Sequence, residues 1–315
     1  CMHNPSTGRE LELPHHIDPA STTKRVAVVG AGPAGLEAAR VLAERGHEVH
    51  LFEAADKVGG QLLLASKSPR RRDLRGIIDW RTEELARLGV AVSLNTYVDG
   101  PTLLERSWDV VIVATGGAPA APRVRGAELV RDTWDVLSGT RRPRGRVLVY
   151  DDHGGNQALD AVEALVRGGT TVEIVTPERT LSPDVGSLTA SGYFSALAEN
   201  GVTVTVLRRL HDVTRTPQGL VAELGLDGSG FRERRTVDAV VAEMGTEPVR
   251  ELYDELRDAS ANLGAVDLAE LLARTPQSAV RNERGAFRLY RIGDAVTSRN
   301  VHAAMLDAAR LCRAI

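Results

Sequence analysis

Short apolar runs alternate with stretches of helical spacing along most of this 315-residue chain. Val26 to Val29, Val49 to Phe52, Trp108 to Val113, 146–150, 171–175, 237–242 and 287–292 are nearly continuous and rich in β-branched residues. Runs of that length with little polar alternation suit strands covered on both faces, as in parallel sheets. Between them, Leu36, Ala39, Val41 and Leu42, and then Leu74, Ile77, Ile78, Leu85 and Leu88, recur at helical spacing. Helices are also expected over 157–167, 249–257, 266–273 and from Val301 onward. Further strands are expected at 90–94 and 202–207, with a hairpin of 219–226 and 231–237 turning at Asp227-Gly228. Strands alternating with helices predict an α/β architecture.

The run Arg25 to Val29 leads into Gly30-Ala31-Gly32-Pro33-Ala34-Gly35, a G-x-G-x-x-G turn that opens a helix. Gly30 makes the tight turn, Gly32 lets backbone approach a pyrophosphate, and Gly35 lets helix and strand pack closely. Unpaired amides at the helix N-terminus, together with the helix dipole, favour phosphate there. The next strand ends in Glu53, an acid at the right distance to bind a ribose hydroxyl pair. This unit is expected to bind an adenine dinucleotide or its ADP half. After the ribose-binding acid, Gly59-Gly60 allows another close backbone approach to the cofactor. Ala114-Thr115-Gly116-Gly117 ends a buried strand, where open α/β sheets bind ligands. The basic loop 66–75 (Lys67, Arg70, Arg71, Arg72, Arg75) is expected mostly to face water. Asp294, after the last strand, is either a hydroxyl acceptor or a helix N-cap.

After a Pro/Arg-rich crossing at 141–145, the pattern repeats: 146–150 mirrors 25–29, and 171–175 mirrors 48–52. The turn between them reads Asp151-Asp152-His153-Gly154-Gly155-Asn156, and Thr176 stands where Glu53 would. Like charges about 4 Å apart repel by about 4 kcal/mol at an effective dielectric near 20. This second unit is expected to keep the fold and to have lost a nicotinamide cofactor. Its acids would suit a cation or a basic protein surface, or would simply be solvated.

Composition narrows the rest. Hydrophobic residues make up 43% and charged residues 26%, with net charge −3, which gives no electrostatic case for nucleic acid or an anionic membrane. No apolar span is long enough to cross a bilayer. Two cysteines, Cys1 and Cys312, exclude a disulfide framework and a Cys-x-x-Cys redox pair. They suggest a reducing, cytoplasmic setting. Residues 1–23 lack periodicity and read as an extended tail.

Taken together, the glycine turn at 30–35, Glu53, Gly59-Gly60-Gln61, Ala114-Thr115-Gly116 and Gly293-Asp294 resemble the flavoproteins with two dinucleotide-binding domains. The opening Cys1-Met2-His3-Asn4-Pro5 narrows this. It resembles the junction in the trimethylamine dehydrogenase, histamine dehydrogenase and 2,4-dienoyl-CoA reductase family, across essentially the whole chain but only the C-terminal half of such an enzyme. The resemblance implies an α/β fold of two Rossmann-like domains with parallel central sheets, the second inserted into the first. A tail at 1–23 would precede a split FAD/ADP-binding domain (24–143 and 256–315) and a degenerate NAD(P)-binding-like domain (144–255). It also implies an FMN-bearing TIM barrel and a four-cysteine [4Fe–4S] site on other sequence, with Cys1 as the last cluster ligand. Such an assembly is expected to be oligomeric. The turn at Asp151 resembles the amine dehydrogenase branch, in which electrons pass from substrate through FMN and cluster to a soluble electron-transferring flavoprotein.

By position in the family pattern, Gly30, Gly32, Pro33, Ala34 and Gly35 would meet the phosphates, with Glu53 and neighbouring Ala54 at the adenosine ribose. Gly60, Gln61 and Arg72 would close over the nucleotide, Val98 would offer its backbone to adenine, and Ala114, Thr115 and Gly116 would line the site. Asp294 would meet a ribityl chain if FAD is bound and would be idle with ADP. No catalytic acid, base or nucleophile is expected here. Two alternatives stand beside this reading: an FAD-dependent NAD(P)H oxidoreductase feeding a partner, and a non-catalytic ADP-binding subunit.

Overall fold

The computed structural model describes residues 1–315. In chain order its first leg is β1 (Arg25–Val29), α1 (Pro33–Glu44), β2 (Glu48–Phe52), α2 (Gln61–Ala65), α3 (Arg75–Arg87), β3 (Ala91–Ser93), α4 (Gly100–Leu104), β4 (Val110–Val113) and β5 (Gly117–Pro119). The middle leg is β6 (Val130–Asp132), α5 (Thr133–Ser138), β7 (Arg146–Asp151), α6 (Asn156–Arg167), β8 (Thr171–Val175), α7 (Ser187–Glu199) and five strands: β9 (Thr203–Thr205), β10 (Arg209–Thr216), β11 (Gly219–Gly225), β12 (Arg232–Val237) and β13 (Ala239–Glu243). The return leg is β14 (Thr246–Pro248), α8 (Glu251–Arg257), α9 (Leu268–Ala273), β15 (Arg288–Arg291) and α10 (Val301–Cys312). No helix is long and apolar enough to cross a membrane.

The chain divides into two compact units. The first comprises Cys1–Leu63, Asp73–Ala118 and Thr246–Ile315; the second comprises Leu64–Arg72 and Pro119–Gly245. The second is therefore an insertion into the first, spanning 119–245 where the sequence suggested 144–255. The tail 1–23 belongs to the first unit.

In the first unit five parallel strands run in the order β15-β4-β1-β2-β3. Their alternation builds two layers. Val26 and Val28 of β1 join α1, α3 and α10 in one apolar cluster, while Ala27 and Val29 join Phe52, Val111, Val113 and Leu289 in another. Each fully buried aliphatic side chain contributes about 1.5–3 kcal/mol, so burial on both faces explains the unbroken apolar runs. The second unit repeats the device in the order β6-β13-β7-β8-β9. There Val147 and Val149 face α6 and α7, while Leu148 and Tyr150 face an antiparallel sheet of β10, β11 and β12. The expected hairpin pairs Leu220 with Val237 and Gly225 with Arg232. The sequence reading missed β10 and α7, because the polar side chains of Arg209–Thr216 and the small residues of Ser187–Glu199 blur their periodicity.

Polar groups brace both units. In the first, Glu37 of α1 is 1% exposed and accepts from Arg81 Nε at 2.8 Å and Arg40 Nη2 at 2.8 Å. Arg81 also donates to the His3 carbonyl at 2.8 Å, which fastens the tail. In the second, Arg70 pairs with Glu163 at 2.5 Å, and Arg71 with Asp160 at 2.8 Å; Asp160 also accepts from the Tyr193 hydroxyl at 2.6 Å. These arginines therefore do not simply face water: Glu163 and Asp160 are buried, and a buried carboxylate needs a partner. Replacing Arg81 by alanine strips Glu37 of one of its two cations and is expected to cost about 3 kcal/mol. Urea unfolding compared with the native protein checks it; a loss under about 1 kcal/mol would show the pair to be dispensable.

Candidate functional site

The chain's first glycine turn lies at the C-terminal end of β1, between β2 and β4. Gly30 has φ +101°, and a methyl built on it would fall 2.3 Å from the Ala114 carbonyl oxygen. On Gly35 a methyl would fall 1.8 Å from the Gly30 carbonyl oxygen. Both positions are therefore restricted to glycine by close backbone approach. Gly32 is different. It caps α1 in an extended conformation (φ −70°, ψ −177°), and a methyl there would meet nothing within 4 Å. Pro33 occupies the first helical turn, no acid stands in that turn, and no side chain caps it. The amides of a twelve-residue helix and their dipole consequently face open space beside Gly32.

Other residues expected at the site gather around this cradle. Glu53 follows β2; its Oε2 accepts from the Ala31 amide at 2.7 Å and its Oε1 from the Ala55 amide at 2.9 Å. Ala54 is exposed beside it. The Ala31 carbonyl accepts from the Gly59 amide at 2.8 Å, and a methyl on Gly60 (φ +52°) would lie 3.1 Å from the Gly32 Cα. Gly60 thus presses backbone against backbone, while a methyl on Gly59 would fall 2.5 Å from the Ile78 Cδ1. Gln61 Nε2 donates to Asp294 Oδ2 at 3.1 Å, and the Arg299 amide donates to Asp294 Oδ1 at 3.2 Å. Burial chiefly raises the Asp294 carboxyl above its ordinary range, and the Gln61 bond opposes it. Gly293 brings Asp294 to α1: a methyl on it would lie 2.8 Å from the Ala34 Cβ. That close contact left no mark in the sequence beyond a glycine after a strand.

Ala114 ends β4 with its amide on the Val29 carbonyl at 2.7 Å. Thr115 is tethered, its Oγ1 donating to the Val249 carbonyl at 2.6 Å, and Gly116 (φ +73°) accepts from the Val249 amide at 3.0 Å. The Val98 side chain is buried in the cluster of Phe52 and Trp108, which leaves its backbone as the part able to address a ligand. Arg72 is exposed. It belongs to the stretch Leu64–Arg72 counted with the second unit, and neighbouring Arg71 is taken by Asp160. Cys1 is exposed, its Sγ 3.6 Å from His3 Nε2, and no group of three or more His, Cys, Asp and Glu side chains is placed to hold a metal ion.

The second unit's turn uses the same frame with other chemistry. Asp151 ends β7 fully buried, its Oδ1 accepting from the amides of Gly154 at 2.9 Å and His153 at 3.2 Å, while its Oδ2 has no partner. Asp152 is half-buried, with Arg209 Nη1 3.4 Å away. Neither acid is a solvated loop residue. The parallel register sets Glu243 of β13 beside Asp151. Glu243 is buried too, accepting from Thr133 Oγ1 and from the Gly245 amide at 2.8 Å. Burial is the largest cause raising both carboxyls. Sequence inspection could not pair Asp151 with Glu243, which are 92 positions apart, without the strand order that makes β7 and β13 neighbours.

Known proteins share the sequence and the fold. The chain is 48% identical over 316 residues to a probable N-methylproline demethylase of Rhizobium meliloti, matching 100% of this chain and 47% of that protein. It is 44% identical over 327 residues to an N,N-dimethylglycine/sarcosine dehydrogenase of Chromohalobacter salexigens, matching 99% and 47%. The chain thus spans about half the length of these curated relatives. Among solved structures, the 6-hydroxypseudooxynicotine amine oxidase of Pseudomonas geniculata N1 is 25% identical with a TM-score of 0.83, over 100% of this chain and 45% of that one. The histamine dehydrogenase of Rhizobium sp. 4-9 shares the fold at 21% identity and the same TM-score, over 99% and 47%. Residues 24–305 match the family described as pyridine nucleotide-disulphide oxidoreductase. With that match running from the residue before β1 into α10, the chain belongs to the pyridine nucleotide-disulphide oxidoreductase family.

Proposed function

We propose that the first unit binds the ADP moiety of an adenine nucleotide, as ADP or within FAD, and that the chain is the nucleotide-binding, C-terminal part of a larger iron–sulfur flavoprotein. The observation that carries this is the open space at Gly32, beside a helix N-terminus without an acid in its first turn. A diphosphate there would meet the amides of Ala34 and Gly35. Glu53 would add ribose hydroxyls to the amides it already holds, since each carboxylate oxygen accepts more than one hydrogen bond. Gly60 and Gln61 would close over the nucleotide, Val98 would address adenine, and Ala114, Thr115 and Gly116 would line the far wall. Asp294, held by Gln61, would receive a ribityl hydroxyl if FAD is bound. FAD would bring a redox-active ring; ADP would bring none.

The larger enzyme's substrate class follows the named relatives. N-methylproline, N,N-dimethylglycine and sarcosine are N-methylated amino acids. FMN and a [4Fe–4S] cluster would be held mainly by other sequence, with an electron-transferring flavoprotein as acceptor. Cys1 supplies one exposed thiol, whereas a cluster needs four ligands. This chain alone therefore does not fit the cluster. At the second turn Asp151 holds the loop amides of His153 and Gly154, and the space that is open at Gly32 is filled at the matching Gly155, where a methyl would fall 2.4 Å from Gln157 Oε1. That turn is read as closed to NAD(P)H.

Gly32→Ala should keep the native melting temperature and weaken ADP binding by about tenfold or more in calorimetric titration, because its methyl enters only ligand space. Gly35→Ala should lose both stability and binding. Denatured protein should release ADP or FAD, identified by mass spectrometry; absence of any adenine nucleotide together with no ADP binding would sink the reading. NADPH lying across His153 in soaked crystals would overturn the closed second turn. Because folding raises the Asp151 carboxyl, its stabilising contribution is complete below the ordinary carboxylate range and is lost as pH rises through the raised value. Asparagine can keep both turn bonds. Asp151→Asn should therefore melt higher than native protein near about pH 8, with the gain vanishing by about pH 4.

A further inference from the structure

At the opposite end of the first unit's sheet from the glycine turn, the strand starts line a partly open cavity of about 200 Å³. β1 has five residues, so the two ends lie about 15 Å apart. Arg25, His47, Glu48, His50, Arg106 and Trp108 line the cavity, and aliphatic side chains complete its wall. Three observations give it a definite polarity.

First, His47 is 6% exposed and presents an unanswered donor. Its Nδ1 lies 3.1 Å from the Lys24 amide, which can only donate. The ring proton is therefore on Nε2, and Nε2 is buried without a partner. Burial, with Arg45 and Lys24 nearby, lowers the His47 pKa to about 4, so this donor persists at neutral pH. Second, Arg106 makes no ion pair; its bond is to His50 Nδ1, 3.5 Å away. His50 in turn meets Ser93 Oγ at 2.8 Å, and burial and Arg106 lower its pKa. Third, the Arg25 guanidinium stands 5.6 Å from the centre of the Trp108 ring and only 3.7 Å from Glu48, a loose ion pair in water. Two guanidinium groups against one carboxylate leave one net positive charge in the lining, which suits a monoanion. Trp108 and the aliphatic wall suit an apolar body attached to it.

We propose that this cavity binds a small organic monocarboxylate of about benzoate size, its carboxylate held by Arg106 and Arg25 and its apolar body against Trp108. The site is separate from the nucleotide cradle and stands or falls independently of it.

Calorimetric titration of the whole purified chain with benzoate, and with uncharged benzamide, tests this at constant ionic strength. Benzoate should bind saturably and benzamide at least about tenfold more weakly, since charge-assisted hydrogen bonds carry that discrimination. Arg106 is exposed, so Arg106→Gln should keep the native circular dichroism and weaken benzoate by about tenfold. Glu48→Gln should tighten benzoate binding, a change of sign that loss of structure would not produce. Saturating ADP should leave the titration unchanged. Equal binding of benzamide, indifference to Arg106→Gln, weakening by Glu48→Gln, competition by ADP, or no saturable binding would each overturn the proposal.

Discussion

Packing around the first turn is so close that three glycine positions there leave no room for a methyl group. Methyl groups on Gly30, Gly35 and Gly293 would approach Ala114, Gly30 and Ala34 to 2.3, 1.8 and 2.8 Å. This compaction lets α1 start directly on the strand end and leaves its first amides uncovered. Gly32 is then the one glycine of the turn whose missing side chain leaves space rather than relieving a clash. Protein packing explains the first three glycines. The fourth is left with open space, which the proposed nucleotide would fill.

The second unit shows how the same strand–turn–helix frame can be closed from within. Asp151 replaces the glycine and folds its carboxylate back onto the amides of His153 and Gly154. Repulsion between acids and phosphate is joined there by side chains that fill the space: a methyl on Gly155, before α6, would fall 2.4 Å from Gln157 Oε1 and 3.1 Å from His153 Cδ2. Charge is also weaker than expected there, since burial favours the protonated forms of Asp151 and Glu243.

Buried ion pairs complete the framework. Arg81 joins Glu37 to the tail, and Arg70 and Arg71 tie a short excursion of the chain to α6. None of these pairs follows from local sequence spacing. A basic loop and a buried helix acid look the same in sequence as solvated charges, and only their burial shows that each needs the other.

What the sequence determined by itself was the local physics. Apolar runs without alternation required strands covered on both faces, G-x-G-x-x-G required a tight turn into a helix, and the two acids at Asp151 required a different use of the repeated turn. Gly30 to Gly35, Glu53, Gly60 and Gln61 were legible because they lie within a few dozen residues of one another, in a single βαβ unit and the loop after it. Ala114 and Thr115 were legible as the end of a buried strand, whereas for Asp294 local sequence left hydroxyl acceptor and N-cap equally open. The tertiary structure alone decided which strand ends became neighbours, and with them the pairing of Asp151 with Glu243, the contact of Gly293 with Ala34 and the boundaries of the inserted unit. Those depend on strand order and burial, which arise only when segments distant in sequence share one core.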